Sequence, residues 1–189
     1  MAGNLLYNIY IEELKWKFGA NTPFNIRVGT SSSGSKILID DCHYIAKWIG
    51  AFSDDRLVGC LRIIPRVNTL LEAQYYQKSN LKLNEILNSE PNLVEVNRGA
   101  VSRDYRGSAI VLLKMFQFLL VYLNMNQFSI FFTTSLPSLI GLFKTLGFSE
   151  LSGIRFKYEE SDHSFVVPFL TNFKNLPNIS KNIQLYLDE

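Results

Sequence analysis

Apolar residues at 6, 9, 10, 14 and 18, with Glu and Lys between them, space out one face of a helix over residues 5–18, and Gly19 stops it. Residues 24–28 alternate and predict a strand. The small polar run 30–35 predicts a flexible loop, either a solvated connection or a lid over a substrate. Two apolar runs, 43–52 and 56–64, flank Ser53, Asp54 and Asp55 and predict a β-hairpin that Pro65 ends. Residues 70–76 and 81–87 have the pattern of short helices around a polar break at 78–80. Pro91 and Asn92 turn the chain into a strand over 93–101. Residues 108–125 predict a long helix that is apolar on most of its circumference, which marks a buried helix. A strand at 128–134 follows, then a helix at 136–146 with Pro137 in its first turn and Gly147 at its end. Residues 149–158 and 164–169 predict an antiparallel pair, and 171–189 a tail with a weak strand or helix at 183–187.

This order of elements describes an α+β chain with one mixed sheet. The 189 residues suit a single domain with its core at about 24–170. With 47% hydrophobic and 19% charged residues the chain buries a real core rather than staying disordered. A net charge of +2 argues against a dedicated nucleic-acid binder. The first ten residues lack the basic and apolar regions of a signal peptide, and the apolar run 109–122 carries Lys114 and Gln117, too short and polar for a membrane span. A soluble, cytoplasmic protein without an integral membrane segment is expected. Cys42 and Cys60 sit in strand-like apolar contexts and read as buried free thiols of a reducing compartment. Two histidines, His43 and His163, are too few for a histidine metal cluster, so no metal is expected.

The chemistry concentrates in residues 93–108. A strand carries Glu95 and Arg98, then the turn Arg103, Arg106, Gly107, Ser108 leads into the long helix. Two cations and several backbone N–H groups at a helix start suit a phosphate or pyrophosphate, beside the plainer reading of a capped helix. Glu95, between apolar neighbours, is a partly desolvated carboxylate, and desolvation raises its affinity for a proton toward the working pH. It is a candidate general base, or the partner of Arg98 in a structural ion pair. Arg98 orients Glu95, holds an acceptor carboxylate, or pairs structurally. Positions 95 and 98 face opposite sides of a strand unless a bulge intervenes. Arg62, mid-strand and apolar-flanked, needs a carboxylate such as Glu95, Asp40 or Asp41, or else clamps an acceptor carboxylate. Met115, Phe116, Phe118 and Leu119, with Phe131 and Phe132, are core residues or the wall of a fatty-acyl tunnel.

These residues resemble a known superfamily. Val101-Ser-Arg-Asp-Tyr-Arg-Gly-Ser-Ala-Ile is similar to the acyl-donor motif of the GNAT acyltransferases, and Phe143-Lys-Thr-Leu-Gly-Phe148 to their later helix–Leu-Gly-Phe–strand motif. Val58-Gly-Cys-Leu-Arg-Ile-Ile-Pro65 and Glu95-Val-Asn-Arg-Gly-Ala-Val101 resemble segments of two subgroups, the long-chain N-acyl amino acid synthases with related fatty N-acyltransferases, and the acyl-homoserine-lactone autoinducer synthases. The resemblance covers about residues 40–170. It implies a GNAT-like fold, with a mostly antiparallel mixed sheet of six to seven strands flanked by helices. It also implies an N-acyltransferase, moving a medium or long acyl chain from a phosphopantetheine thioester, on acyl carrier protein or coenzyme A, to the amine of an amino acid or peptide. No bound cofactor is implied beyond that co-substrate.

By the same resemblance, Glu95 and Arg98 are catalytic. Backbone N–H groups near Ala100 and Val101 meet the thioester oxyanion, because the superfamily has a splay or bulge here. Arg103, Arg106, Gly107 and Ser108 hold the donor. Asp41, His43 and Arg62 face the acceptor, with an aspartate there meeting its ammonium group; His43 otherwise reads as a structural histidine. Ala109 and Val111 stand where general acetyltransferases carry glycine, which points from a tight coenzyme A cradle toward a carrier-linked donor. Phe143 stands where a general-acid tyrosine is usual, so the leaving thiolate takes its proton from another group or from water. An autoinducer synthase is the alternative enzyme, although the N-terminal half lacks its Arg, Phe and Trp pattern. A non-catalytic adaptor that binds a carrier or peptide is the alternative of another class.

Overall fold

The computed structural model describes residues 1–18, 23–65, 81–89, 92–107, 109–128, 130–155, 157, 165–172 and 176–188. The expected helix at 70–76, the stop at Gly19 and the arms 158–164 lie outside them. The residues group into two compact units, Met1–Ile64 with Arg98–Met115, and Pro65–Asn97 with Phe116–Glu189.

In the first unit, helix α1 (Ala2–Leu6) runs into a π-helical turn over Tyr7–Glu13. The helical spacing read from the sequence is real but ends at Glu13. Strand β1 (Arg27–Thr30) pairs antiparallel with β2 (Lys36–Ile39) in the register Arg27↔Ile39 to Thr30↔Lys36. The expected strand at 24–28 therefore starts three residues later, because Phe24 and Asn25 hold left-handed backbone at φ +53° and form a 3-10 turn instead. The stretch read as a loop is the tight turn of this hairpin. Ser31 N–H donates to the Ser35 carbonyl at 2.9 Å, and Gly34 supplies the left-handed residue at φ +82°. Strands β3 (Lys47–Ser53) and β4 (Arg56–Pro65) form the expected hairpin, with a register shift between Ala51 and Phe52. Leu6, Ile9, Tyr10, Ile26, Leu38, Cys60 and Ala100 make this unit's core.

Strand β5 (Leu93–Val101) and helix α3 (Ile110–Met125) each start in one unit and continue into the other. A Cβ on Gly59 of β4 would stand 2.8 Å from Val111 Cγ1 and 3.1 Å from Met115 Cε on the first turns of α3. Valine is stiff at χ1 and cannot swing away cheaply. Gly59→Ala is therefore expected to lower stability by about 1–2 kcal/mol through overpacking, read as a lower urea midpoint at unchanged m-value. An unshifted midpoint would show that α3 yields at this contact.

The second unit holds α2 (Leu81–Asn88), the start of β5, the rest of α3, β6 (Ile130–Ser135), α4 (Ile140–Leu146), β7 (Val167–Asn172) and α5 (Leu176–Asp188). β5 runs parallel to β6 from Leu93↔Ile130 to Val96↔Thr133, and β6 runs antiparallel to β7. The sheet order is β3-β4-β5-β6-β7, with β1-β2 a separate two-stranded sheet. Pro137 opens a 3-10 turn into α4, and Gly147 closes the helix at φ +94°, the left-handed C-terminal cap that glycine adopts without strain. Phe116, Phe131, Phe143, Phe148 and Phe169 pack edge-to-face with ring centroids 5.1–5.5 Å apart. Such pairs add about 0.5–1.5 kcal/mol each beyond the area they bury.

Three expectations change here. Helix α3 is not buried all round: Phe118, Val121 and Met125 are 71%, 56% and 76% exposed, on the side away from buried Leu119 and Leu123. The C-terminal residues are a 13-residue helix rather than a loose tail, anchored by fully buried Ile179 and Ile183 and by Asn182 Nδ2, which donates to the carbonyls of Thr145 and Leu146. The pair expected from 149–158 and 164–169 consists of β7 and an isolated bridge, Glu150↔Phe169.

Glu150 itself accepts from Lys144 Nζ at 2.6 Å and Arg155 Nη2 at 2.5 Å. Those hydrogen bonds, Lys144's first, hold its carboxyl below the usual carboxylate range. A lowered folded pKa contributes stability above the unfolded value and loses it as pH falls through the folded one. Glu150→Gln should therefore flatten the acid limb of Tm against pH between about pH 5 and pH 3. An identical limb in the variant would leave Glu150 no part in it.

Candidate active site

Strand β5 carries the central feature. Its pairing with β6 runs from Leu93 to Val96. Two residues later Arg98 holds left-handed backbone at φ +52°, a costly conformation for a residue with a Cβ. This left-handed residue lies at the place where the resemblance implies a splay or bulge. Beyond it the strand runs along β4: Cys60 Sγ lies 3.7 Å from the Arg98 carbonyl, and Ser102 N–H donates to the Val58 carbonyl at 2.8 Å. Gly99 allows the approach, since a Cβ there would stand 3.1 Å from Leu61 Cδ2.

Before Arg98, Glu95 sits in register with Phe132 and is 1% exposed. In the first unit, three charged side chains meet. Arg62, 1% exposed, donates from Nη1 to Asp40 Oδ2 at 2.5 Å. Arg98 Nη2 lies 3.5 Å from the same oxygen. The other oxygen, Oδ1, accepts from Cys42 N–H at 3.0 Å, an Asx-type turn that fixes the carboxylate. The Arg62 guanidinium also lies 5.7 Å over the Trp48 ring, a cation–π contact. Of the three carboxylates weighed for Arg62, Asp40 is one that it meets. Buried charges of this kind persist only when well hydrogen-bonded.

His43 packs at 5.3 Å from Trp48, whose indole N–H donates to the His43 carbonyl at 3.1 Å. Burial pushes the His43 pKa below its ordinary value, with Asp40 opposing and Arg62 reinforcing, so the imidazole is neutral at neutral pH. Asp41 stands apart, exposed and paired to Arg27 Nη1 at 3.0 Å. Burial pushes the Cys60 thiol up to about 12, so it stays protonated and is no nucleophile. Among the described residues no group of three or more His, Cys, Asp or Glu side chains forms a metal site, and no helix is long and apolar enough to cross a membrane.

The turn after β5 is a 3-10 helix, Arg103–Tyr105. Ser108 lies outside the described residues, and Gly107 is exposed. Arg106 is engaged within the protein: Nε donates to the Val101 carbonyl at 2.7 Å and the guanidinium forks onto the Glu13 carboxylate. Arg103 is exposed, and among the described residues its guanidinium has no side-chain partner. Ala109, which stands where a glycine is usual, takes φ +55°, the region glycine occupies without strain. A polar cleft of about 580 Å³ lies beside this turn, lined by Asn4, Asn8, Glu13, Ser33, Arg56 and Arg103 among others. The serine turn of the β1–β2 hairpin forms one rim of it.

Sequence reasoning singled out the Asp40–Arg62 possibility but not Asp40 as the hub. The available signal was an aspartate after the apolar run Ile37, Leu38, Ile39 with an Asx-turn pattern behind it. Glu13 carried no signal, since its partner is 93 positions away.

A parallel β5/β6 pair, left-handed backbone at Arg98 within β5 and a turn into a long helix make up the GNAT-like α+β fold expected of the chain. Residues 24–115 match the family model described as an acetyltransferase (GNAT) domain. Solved structures share the fold. The coenzyme A-dependent acyl-homoserine lactone synthase BjaI, with SAM and isopentyl-CoA, aligns with TM-score 0.68 at 17% identity, covering 96% of this chain and 80% of that one. The AHL synthase LasI aligns at TM-score 0.65 and 15% identity, covering 90% and 80%. FeeM, an N-acyl amino acid synthase from uncultured soil microbes, aligns at 0.60 and 17%, covering 74% of each. Among curated proteins, sequence comparison gives no significant match.

Proposed function

We propose that the protein transfers a medium or long fatty acyl group from a phosphopantetheine thioester, on acyl carrier protein or coenzyme A, to a primary amine of an amino acid or peptide. The observation that carries this reading is the left-handed backbone of Arg98, on the strand that carries buried Glu95 and leads into the basic turn. Acyl transfer needs a free amine, an aligned thioester and a stabilised oxyanion. In this reading Glu95 takes a proton from the acceptor ammonium or amine, directly or through a water. The amine nitrogen attacks the thioester carbon, and backbone N–H groups at Ala100 and Val101 hold the oxyanion. The C–S bond then breaks, the amide forms, and the thiolate takes up a proton. Arg98 aligns the centre. Arg103, Arg106, Gly107 and Ser108 form the donor side. On the acceptor side, Arg62 acts through Asp40, His43 packs beside Trp48, and Asp41 offers a surface carboxylate for an ammonium group.

The test is incubation of the purified protein with acyl-CoA or acyl carrier protein thioesters of several chain lengths and a panel of amino acids and peptides, followed by mass spectrometry. An amide product is expected. Failure to consume any thioester in the presence of any amine overturns the reading and leaves the adaptor. A second reading, an acyl-homoserine-lactone synthase, has the extent of the fold match in its favour, 96% of this chain against BjaI and 74% against FeeM. A lactone product from S-adenosylmethionine would select it.

A further inference from the structure

The donor turn holds two arginines, and the structure treats them oppositely. Arg103 is exposed, has no side-chain partner among the described residues and lines the polar cleft. Arg106, three residues on, has each of its three guanidinium nitrogens in a hydrogen bond within the protein. Nε donates to the Val101 carbonyl at 2.7 Å, tying the turn back to the end of β5. Nη2 donates to Glu13 Oε2 at 3.0 Å, and Nη1 to Glu13 Oε1. A fork-on-fork pair of this kind fixes direction as well as distance.

Glu13 is itself held in place. It ends the π-helical turn after α1, with Leu14 N–H donating to the Ile9 carbonyl at 2.9 Å, five residues back. An extra residue in a turn rotates the downstream side chains by about 100° relative to an α-helix, and such insertions occur mostly where a side chain must be aimed. Tyr10 stacks on Trp16 with centroids 4.7 Å apart, bracing the same turn from both sides of Glu13. Both partners are about one-third exposed, so as an isolated ion pair they add little to global stability. What the pair does fix is the path of residues 102–107.

We propose that Glu13 is a positioning residue for the donor: it clamps Arg106 so that the turn keeps the shape in which Arg103 and the adjoining backbone N–H groups meet the thioester's phosphate. This rests on the acyltransferase reading above. It assigns Arg106 to the loop and Arg103 to the ligand, and it couples the N-terminal helix to the donor side.

The experiment compares wild type, Glu13→Gln, Glu13→Asp and the charge-reversed pair Glu13→Arg with Arg106→Glu. Hydrogen exchange of residues 102–107, global unfolding and steady-state kinetics against the donor thioester are measured on the full chain. Expected for Glu13→Gln are faster exchange in 102–107, an unfolding midpoint near wild type, and a donor KM raised about fivefold, as loss of one partly exposed bidentate pair gives, with the smaller part of the effect in kcat. Glu13→Asp and the reversed pair should recover slower exchange. Unchanged exchange and unchanged donor KM in Glu13→Gln overturn the proposal. If wild type transfers no acyl group, the acyltransferase reading fails by itself, and the exchange data still decide whether Glu13 clamps the turn.

Discussion

Glu95→Gln is expected to cut acyl transfer by about a hundredfold, within the range measured for loss of a general base. The substitution keeps size and shape on β5 while removing the carboxylate, so its effect on folding is expected to be small by comparison. Glu95→Asp should retain part of the activity, because the carboxylate survives at the cost of a shorter reach. Glu95 is buried and has partners in the protein, so a structural role is the competing account. Unchanged turnover in a folded Gln variant would assign Glu95 to that role alone.

Asp40→Ala is expected to lower stability by about 3–5 kcal/mol, the usual cost of removing one member of a buried ion pair. The carboxylate serves Arg62 Nη1, Arg98 Nη2 and Cys42 N–H at once, and all three sit in the interior. Withdrawing it removes a buried anion from both guanidiniums and an acceptor from the Cys42 N–H. Asp40→Asn keeps the Asx turn to Cys42 and tests charge alone, so a smaller loss is expected. Equilibrium unfolding in urea at constant pH measures both. A change below about 1 kcal/mol for Ala would mean that Arg62 and Arg98 are compensated elsewhere, as an exposed pair would be. Because Arg98 also holds left-handed backbone in β5, a folded Asp40 variant should lose acyl transfer as well.

Much of the fold was legible along the chain. Leu93–Val101 alternates and turns out to be strand throughout, and the hairpin around Asp54 arises from two apolar runs and a polar turn. Pro137 and Gly147 mark a helix because one lacks an N–H where none is needed and the other tolerates φ +94°. Of the β1–β2 hairpin, the first strand was read three residues early and the second not at all: four residues give too little alternation to separate from a loop. Nor was α5, whose anchors in the described core are Ile179 and Ile183, so packing rather than propensity makes it a helix.

The sequence by itself determined the class of fold, through the strand at 93–101, the turn after it and the long helix, since each residue type is read locally and the spacing sets strand or helix. Only the tertiary structure decided how the charges pair. Asp40 rather than Asp41 meets Arg62, because the turn to Cys42 directs one side chain inward and leaves the other in solvent beside Arg27. Arg106 turns to Glu13 and Arg103 does not, because a π-helical turn 93 positions away aims one carboxylate. And α3 buries Leu119 while exposing Phe118, since neighbours in space, and not the helix's own composition, choose the face that is covered.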